Sequence, residues 1–538
     1  MSVTATPSAK SMHPQEVEDH PLRWLLWLGL LIGGAMLLAF PVAKPIWDDE
    51  LDSIMQGSKP YLTILAGASD TQPPLHFLVF RICETFFGKN LAVFRFVSAL
   101  PAVVSLWYVY LLGKRITPQV GILAVWLAAL SPGLILFDRM ARYHGLLAML
   151  TTMSVYYGLT ALGSGRRHDL VAYGVTTFLM LVTYYLSLFV LVAQVVGVLL
   201  HRREQPYLKS ALLSLALAVA AFLPWFVHGL LLAQRNMQLS HVEDPAMSLG
   251  WHGFLLRLGL PLYSFAFGET VNPWVWPVVV VGLVAVPLTF WRGARQMLLR
   301  PDVVLIVVVV CVAVLSAAVT SGRLGTGQTV GSMAKRVSFV LPLLYVIISA
   351  GVFSFRSRLT QCLCLSALLL VSIYAVSNYW RDQQFLNQNY IARWDQAIAV
   401  MRHRQWGQDT LVVSCSDPAL HYYLDQQPQP VLSINATGQS DIDTALTVRH
   451  PRYLWLVGRD RGDRVAEGLT EALNRQFGKK YQHLDSVGLM PRSTADRYWL
   501  QKVLKRPASP DYLWLELYDT QRSALAPKGP KHDKTKQR

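Results

Sequence analysis

Four carboxylates lie within five residues just after the first apolar stretch of the chain, at Asp48, Asp49, Glu50 and Asp52. A carboxylate that is partly shielded from water has a raised pKa, which suits it to act as a general base. The cluster has apolar neighbours in a chain that is otherwise poor in acids, and carboxylates close to hydrocarbon are costly and usually functional. The alternative interpretation is a solvated loop with ordinary surface acids. We favour a catalytic site at the membrane surface.

A second polar group surrounds the pair Pro73-Pro74, with Asp70 and Gln72 before it and His76 after it. Proline is typical of the first turn of a helix. These polar side chains could line a binding site near the start of that helix. Equally, Asp70 could be an acid that the helix dipole favours. The residues by themselves leave both interpretations open.

The composition indicates that membrane-associated elements must hold these residues. The 538 residues are 53% hydrophobic and 15% charged, with a mean hydropathy of +0.33. Soluble domains carry about 25% charged residues, so a water-soluble protein is excluded, as is a disordered one. The 49 Lys and Arg against 33 Asp and Glu give a net charge of +16. In so apolar a chain this surplus indicates basic loops and anionic lipid, and we expect no nucleic-acid partner.

Apolar runs of about 20 residues, long enough to cross a bilayer, recur through the chain. They lie at 23–43, 91–113, 119–137, 141–162, 208–232, 273–291, 303–320, 337–355 and 359–379. A further run from Asp169 to Leu200 is too long for one span, because at 1.5 Å per residue it would reach about 48 Å. It predicts two short spans that meet near Ser187. The total is then about eleven spans.

The charge of the connecting segments predicts the orientation. With a cytoplasmic N-terminus, the short inner loops are basic, as at 114–115, 166–167 and 356–358, and the outer segments hold most of the acids. This alternation requires the short apolar piece 73–87 to be a juxtamembrane helix on the outer face. It also makes 233–272 a long outer loop.

The chain divides into four predicted parts. Residues 1–22 form a cytoplasmic tail, 23–379 the transmembrane domain, 380–522 an extracytoplasmic α/β domain, and 523–538 a disordered basic tail. The first extracytoplasmic loop, 44–90, carries the acids. The α/β prediction rests on strand-like and helix-like runs beyond Tyr379. The strand-like runs are 410–414, 453–457 and 512–517, and the helix-like runs are 391–404 and 463–477.

Several short motifs between residues 20 and 380 together resemble the GT-C membrane glycosyltransferases, in particular the protein O-mannosyltransferase and aminoarabinose-transferase branch. Each motif is weak by itself, and their order and predicted topology make the resemblance specific. The motifs are Asp49-Glu50, Pro73-Pro74-Leu75, Phe87-Gly88, Arg95, Ala141-Arg142-Tyr143, Thr183-Tyr184-Tyr185, Leu223-Pro224-Trp225, and Arg336 followed by Leu341-Pro342.

The resemblance implies a polytopic, mainly α GT-C fold and an activity. Such enzymes transfer a sugar from a polyprenyl-phosphate donor to a glycolipid, glycan or protein acceptor on the extracytoplasmic face. It implies that Asp49 is the base, accompanied by Glu50, in a single-step, inverting hexosyl or pentosyl transfer. A bacterial inner (plasma) membrane, within the cell envelope, is the expected location.

The same chemistry needs cations for the departing phosphate, because the fork of an arginine matches two phosphate oxygens. At the predicted outer membrane level the candidates are Arg142, Lys335 and Arg336, with Arg139 beside them. Basic residues at a span end more often extend to lipid headgroups. The expected substrate-binding residues are Asp48, Asp70, His76, Tyr143 and Tyr184. No cofactor is expected to be required, although the first-loop acids could bind a divalent cation.

Two other classes of function compete with the enzyme. A transporter or flippase of lipid-linked glycans would also need many spans and outward-facing cations, but it should place charges near the midplane and show internal repeats. Here the ionisable residues concentrate at one membrane face and no repeat is evident. An assembly protein, whose outer domain recruits partners, is the third interpretation.

Overall fold

Most of the apolar sequence forms helices in the computed structural model, because a backbone in hydrocarbon must satisfy its hydrogen bonds internally. The structure describes residues 22–66, 72–200, 206–239, 250–320, 333–415, 417–436, 438–460, 464–498, 501–502 and 509–523. Asp70 and the two predicted terminal tails, apart from Leu22 and Ser523, lie outside these residues.

The helices of the N-terminal part run from Arg23 to Trp380. They are α1 (Arg23–Leu38), α2 (Asp48–Gly57), α3 (Tyr61–Leu65), α4 (Leu75–Phe87), α5 (Leu91–Lys114), α6 (Pro118–Ala129), α7 (Pro132–Asp138), α8 (His144–Ser164), α9 (Arg167–Leu181), α10 (Leu188–Leu200), α11 (Leu208–Leu239), α12 (Gly250–Phe267), α13 (Trp276–Leu298), α14 (Val304–Thr320), α15 (Met333–Val337), α16 (Leu341–Phe353) and α17 (Arg358–Trp380).

Among the described residues, six helical segments are long and apolar enough to cross a membrane, and the α6–α7 pair, bent by 57°, makes up to seven. Shorter apolar helices lie at Arg23–Leu38, Tyr185–Leu199, Leu258–Phe267 and Val304–Ser316. The chain is therefore an integral membrane protein. The number of eleven spans stays a prediction.

Two long stretches differ in how well the sequence predicted them. The run from 169 to 200 does break, since α9 ends at Leu181, a 3-10 turn covers Tyr185–Ser187, and α10 begins at Leu188. The prediction of a long loop at 233–272 was wrong for most of its length, because α11 continues to Leu239 and α12 begins at Gly250. The apolar residues of the second half of that segment form a helix that packs against α15 and α13.

The membrane helices approach closely where small residues meet. A side chain at Gly293 of α13 would lie 1.9 Å from the Ile347 carbonyl, and one at Gly351 of α16 would lie 1.8 Å from the Thr289 carbonyl. Small residues at such crossings let two backbones pack without a gap. This crossing fixes α16 against α13. The segment Ala334–Phe353, which contains α16, begins beside Lys335.

The C-terminal part is a five-stranded sheet with flanking helices. Its strand order is β2-β1-β3-β5-β4, in which β1 pairs in parallel with β2 and β3, and β5 is antiparallel to β3 and β4. The elements are α18 (Trp394–Arg404), β1 (Thr410–Cys415), α19 (Pro418–Leu424), β2 (Leu432–Ala436), α20 (Gln439–Arg449), β3 (Tyr453–Arg459), α21 (Arg464–Lys480), β4 (Tyr481–Pro491), α22 (Thr494–Tyr498) and β5 (Asp511–Ser523).

The sheet domain rests directly on the first loop. One apolar cluster contains Leu51 and Ile54 of α2 together with Leu420 of α19 and the buried Trp455 of β3. The carboxyl ends of β1 and β3 face the start of α2 through Asp417 and Arg459. The domain and the acidic segment are thus at the same end of the helical bundle.

Candidate active site

The three acids Asp48, Asp49 and Glu50 form the first turn of α2, after Trp47 in extended conformation. Acids at a helix N-terminus are favoured by the helix dipole. Successive side chains of a helix point about 100° apart, so the three carboxylates diverge. Each meets a cation from a different part of the chain: Arg459, Lys335 and Arg95, respectively.

The carboxylate of Glu50 holds the first loop in place. Its carboxylate accepts hydrogen bonds from Arg95 Nε at 2.8 Å and Nη2 at 2.6 Å, and from the Ala141 backbone N–H at 2.7 Å. The residue is 1% exposed. Arg95 in turn donates to backbone carbonyls within residues 41–45. The geometry supports a structural role for Glu50, tying the first loop to α5, rather than the predicted role beside the base.

Asp49 is the acid that faces the cluster of predicted phosphate ligands. Its Oδ2 lies 2.7 Å from Lys335 Nζ and 3.6 Å from Arg142 Nη1, and Arg142 also donates to its backbone carbonyl. The Asp49 side chain is 36% exposed. Burial opposes its ionisation, but Lys335 and Arg142 outweigh burial and hold the pKa of the Asp49 carboxyl below its usual range. The carboxylate is therefore ionised at neutral pH.

Positive charge exceeds negative charge around Asp49. Lys335 also lies 4.5 Å from the centroid of the Trp47 ring, and Arg142 lies 5.4 Å from that of Tyr143. Arg336, partly buried, adds its charge to the field at Asp49. One carboxylate against three cations leaves a surplus of two positive charges among these four groups. Such a surplus favours an anionic ligand, and arginine suits phosphate in particular.

Three of the predicted substrate-binding side chains are buried and pack together beside Arg142. Tyr143 and Tyr184 stack with ring centroids 4.3 Å apart, and His76 packs against Tyr143 at 5.5 Å. His76 is 2% exposed, and neither ring nitrogen has a hydrogen-bond partner among the described residues. Burial and the charge of Arg142 hold the pKa of His76 well below its usual range. The ring is therefore neutral and able both to donate and to accept.

The structure does not bring every predicted residue into this cluster. Asp48 points to the other side of α2, where its carboxylate pairs with Arg459. Asp70 lies outside the described residues. Arg139 donates to backbone carbonyls of residues 36–40, where α1 ends, so it caps the C-terminal end of that helix.

Sequence reasoning missed Glu269, which follows α12. The residue is 5% exposed, with its carboxylate 3.5 Å from the Ser264 hydroxyl and beside Tyr390. Burial raises its pKa to about 7, although Lys335 partly opposes the shift. Tyr390 in turn packs edge-on against Trp47 at 4.9 Å. The available signal was an acid beside an apolar run, which the assignment of this segment to an outer loop concealed.

A cation site is not evident around α2. The described residues contain no group of three or more His, Cys, Asp and Glu side chains arranged to hold a metal ion. The carboxylates of Asp48, Asp49 and Glu50 diverge to three different cations. They do not converge on a shared point, as a divalent cation would require.

The comparisons with known proteins agree with this architecture. Residues 71–228 match the family model for dolichyl-phosphate-mannose-protein mannosyltransferases. The structure is similar to ArnT from Cupriavidus metallidurans bound to undecaprenyl phosphate, with a TM-score of 0.52 and 12% identity over 93% of this chain and 98% of that one. For ArnT in the apo state the TM-score is 0.53, with 11% identity over 94% and 99%. Arabinofuranosyltransferase AftD from Mycobacteria shows a lower TM-score of 0.46, with 16% identity over 94% of this chain and 40% of that one.

No curated protein sequence matches this chain. The likeness to ArnT covers nearly all of both chains, so it establishes the fold. The chain is a polytopic membrane protein with the GT-C fold and a small C-terminal sheet domain. Its resemblance to the protein O-mannosyltransferase and ArnT group, predicted from short motifs, is confirmed by the fold and by the family match.

Proposed function

We propose that this protein is a membrane glycosyltransferase. It takes a hexosyl or pentosyl group from a polyprenyl-phosphate donor and transfers it to a glycolipid, glycan or protein acceptor on the extracytoplasmic face. The observation that carries the proposal is the position of Asp49, partly exposed and 2.7 Å from Lys335, among cations suited to a phosphate. The family match and the undecaprenyl phosphate named with ArnT support a lipid-phosphate donor.

The reaction is a single displacement with inversion. The acceptor hydroxyl oxygen attacks the anomeric carbon from the face opposite the phosphate, and the bond between that carbon and the phosphate oxygen breaks. The acceptor proton goes to the Asp49 carboxylate, and the bonding electrons leave with the lipid phosphate. Arg142, Lys335 and Arg336 stabilise the developing negative charge.

The donor itself prepares the base. Before it binds, Lys335 and Arg142 neutralise Asp49 and make the carboxylate a weak base. An arriving phosphate competes for the same two cations, so it weakens their hold on Asp49. The Asp49 pKa then rises towards its ordinary value, and proton abstraction becomes more favourable when a leaving group is present.

The sugar is recognised by His76, Tyr143 and Tyr184, which lie beside the cations. The unpartnered nitrogens of His76 suit sugar hydroxyls, and the stacked Tyr143 and Tyr184 offer apolar ring surface. A buried polar group without a partner is costly, which favours a role in binding. Asp70 remains a predicted contact, whereas the Asp48 carboxylate is paired with Arg459.

The proposed orientation has a cytoplasmic N-terminus in a bacterial inner membrane. The basic loops support it. Arg300, in the basic segment 292–300, donates to the Arg115 carbonyl at 3.0 Å, so this segment meets the basic loop at 114–115. Basic residues on one side and the acids with the sheet domain on the other fit the positive-inside rule.

The test is transfer of labelled sugar from synthetic polyprenyl-phosphate donors by the purified protein, with the wild type compared to Asp49→Asn and Asp52→Asn. Asp52 lies on the same helix, exposed, with a hydrogen bond to Gln56, and is the matched control. We expect Asp49→Asn to abolish transfer, and Asp52→Asn to leave it intact. Movement of lipid-linked glycan across proteoliposomes without a new glycosidic bond would instead establish a flippase.

A further inference from the structure

The side chain of Asp48 connects the first loop to the C-terminal domain. Its carboxylate pairs with Arg459, the last residue of β3, whose Nε lies 2.6 Å from Asp417 and whose Nη1 donates to Asn389 at 3.1 Å. The side chains of Arg459 and Asp417 are 1% and 4% exposed. One buried cation is thus shared between a carboxylate of the domain and a carboxylate of α2.

Other contacts hold the same turn of α2 from the domain side. The Ala419 backbone N–H, at the start of α19, donates to Asp48 at 3.4 Å, and the Ile46 N–H donates to the Tyr423 hydroxyl at 2.8 Å. Leu51 and Leu420 belong to one apolar cluster. The domain therefore contacts residues on both sides of Asp49, and no described residue of the domain bonds the Asp49 carboxylate.

We propose that Arg459 is a positioning residue, through which the C-terminal domain sets the rotation of α2 and so aims Asp49 at Lys335 and Arg142. The inference rests on the proposed function. Asp48 and Asp49 are adjacent in a helix, so fixing one side chain fixes the direction of the other. Asp49 itself is partly exposed, with an ion pair to Lys335 at 2.7 Å and a looser one to Arg142 at 3.6 Å. Glu50 is held by Arg95 of α5, so the pair between Asp48 and Arg459 is the hold on this turn that comes from the C-terminal domain.

A second arginine of the C-terminal domain, Arg492, provides a matched comparison for Arg459. Arg492 pairs with Asp460 inside the domain, its side chain is 7% exposed, and it also donates to the Asp460 carbonyl. Loss of either arginine disturbs a buried ion pair of the same domain. Of the two arginines, Arg459 pairs with a residue of α2 and Arg492 pairs with a residue of the domain.

The experiment compares Arg459→Met, Asp48→Asn, their combination and Arg492→Met in the full-length protein. For Arg459→Met we expect kcat of sugar transfer to fall about 10²-fold, because small misplacements of a catalytic group cost that much, with little change in the donor KM. Amide hydrogen exchange over residues 48–57 should accelerate. The double variant should be no worse than the single ones, because both remove one interaction. Arg492→Met should change neither measurement.

Three results would overturn the inference. They are a wild-type kcat in folded Arg459→Met, a fall in kcat without faster exchange at 48–57, and equal effects of Arg492→Met. If Arg459→Met fails to fold, Asp48→Asn, which keeps the shape of the side chain, provides the same two measurements. Absence of transfer by the wild type would refute the proposed function, while the exchange measurement still decides whether Arg459 holds α2.

Discussion

Asp49 Oδ2 and Lys335 Nζ lie 2.7 Å apart although 286 residues separate them in the chain. Because Lys335 lies in the first turn of the membrane segment Ala334–Phe353, the pair joins the first loop to a distant span. The proposed base and one proposed phosphate ligand therefore neutralise each other in the free protein. In the proposed reaction, removal of the acceptor proton by Asp49 and departure of the phosphate, which Lys335 stabilises, therefore depend on each other.

Lys335→Met should shift the pH dependence of transfer. Lys335 helps hold the Asp49 pKa below its ordinary range, so its loss raises that pKa and protonates the base at higher pH. The acidic limb of the kcat/KM profile, which reports the free enzyme, should therefore move to higher pH. Lys480→Met, at the end of α21, is the control, and an unchanged acidic limb would contradict the role of Lys335.

Arg336→Ala should weaken use of the donor more than use of the acceptor. A hydrogen bond to a charged group contributes about 1.5–3 kcal/mol, which corresponds to a rise in donor KM of roughly 10- to 150-fold. The acceptor KM should stay within a few-fold of the wild type. Initial rates at varied donor and acceptor concentrations separate the two, and an equal rise in both constants would remove Arg336 from the phosphate site.

Arg95→Met should destabilise the protein by about 3–5 kcal/mol, because it leaves Glu50 buried without its partner. The double variant Arg95→Met with Glu50→Met should recover much of that loss, since neither charge then remains buried. Thermal unfolding in detergent measures both. A double variant as unstable as Arg95→Met would show that the ion pair is not what holds this loop.

His76→Phe should produce a more stable but less active protein. The substitution removes two buried nitrogens that have no partner among the described residues. Each unsatisfied buried group destabilises the folded protein by about 1–3 kcal/mol. Transfer should fall because the sugar loses a hydrogen-bonding contact. Unfolding temperature and kcat/KM are measured on the same preparation, and retained activity would exclude His76 from sugar binding.

Glu269→Gln should remove a pH dependence of stability. The pKa of Glu269 is raised to about 7 from an ordinary 4.5, so the folded state binds the proton more tightly than the unfolded state. The unfolding free energy of the wild type should then fall as pH rises from about 4.5 to 7, by about 3 kcal/mol in total, and stay level above that. Unfolding temperatures at pH 5 and pH 8 should differ less for Glu269→Gln than for the wild type.

The sequence predicted the three central strands of the C-terminal sheet but not its two edge strands. The runs at 410–414, 453–457 and 512–517 correspond to β1, β3 and β5, which are buried and therefore apolar. The two strands without a predicted counterpart, β2 and β4, are the edges of the sheet. An edge strand has exposed positions on its open side, so its pattern of apolar residues is weak.

The sequence by itself determined the membrane class, the break between α9 and α10, and the segment that carries the acids, because these depend on local hydropathy and charge. Only the tertiary structure decided the separate partners of Asp48, Asp49 and Glu50. Their side chains are adjacent in sequence but diverge around a helix, and the cations that meet them come from Arg459, Lys335 and Arg95. Pairings across hundreds of residues depend on how the helices and the sheet domain pack, which no local pattern records.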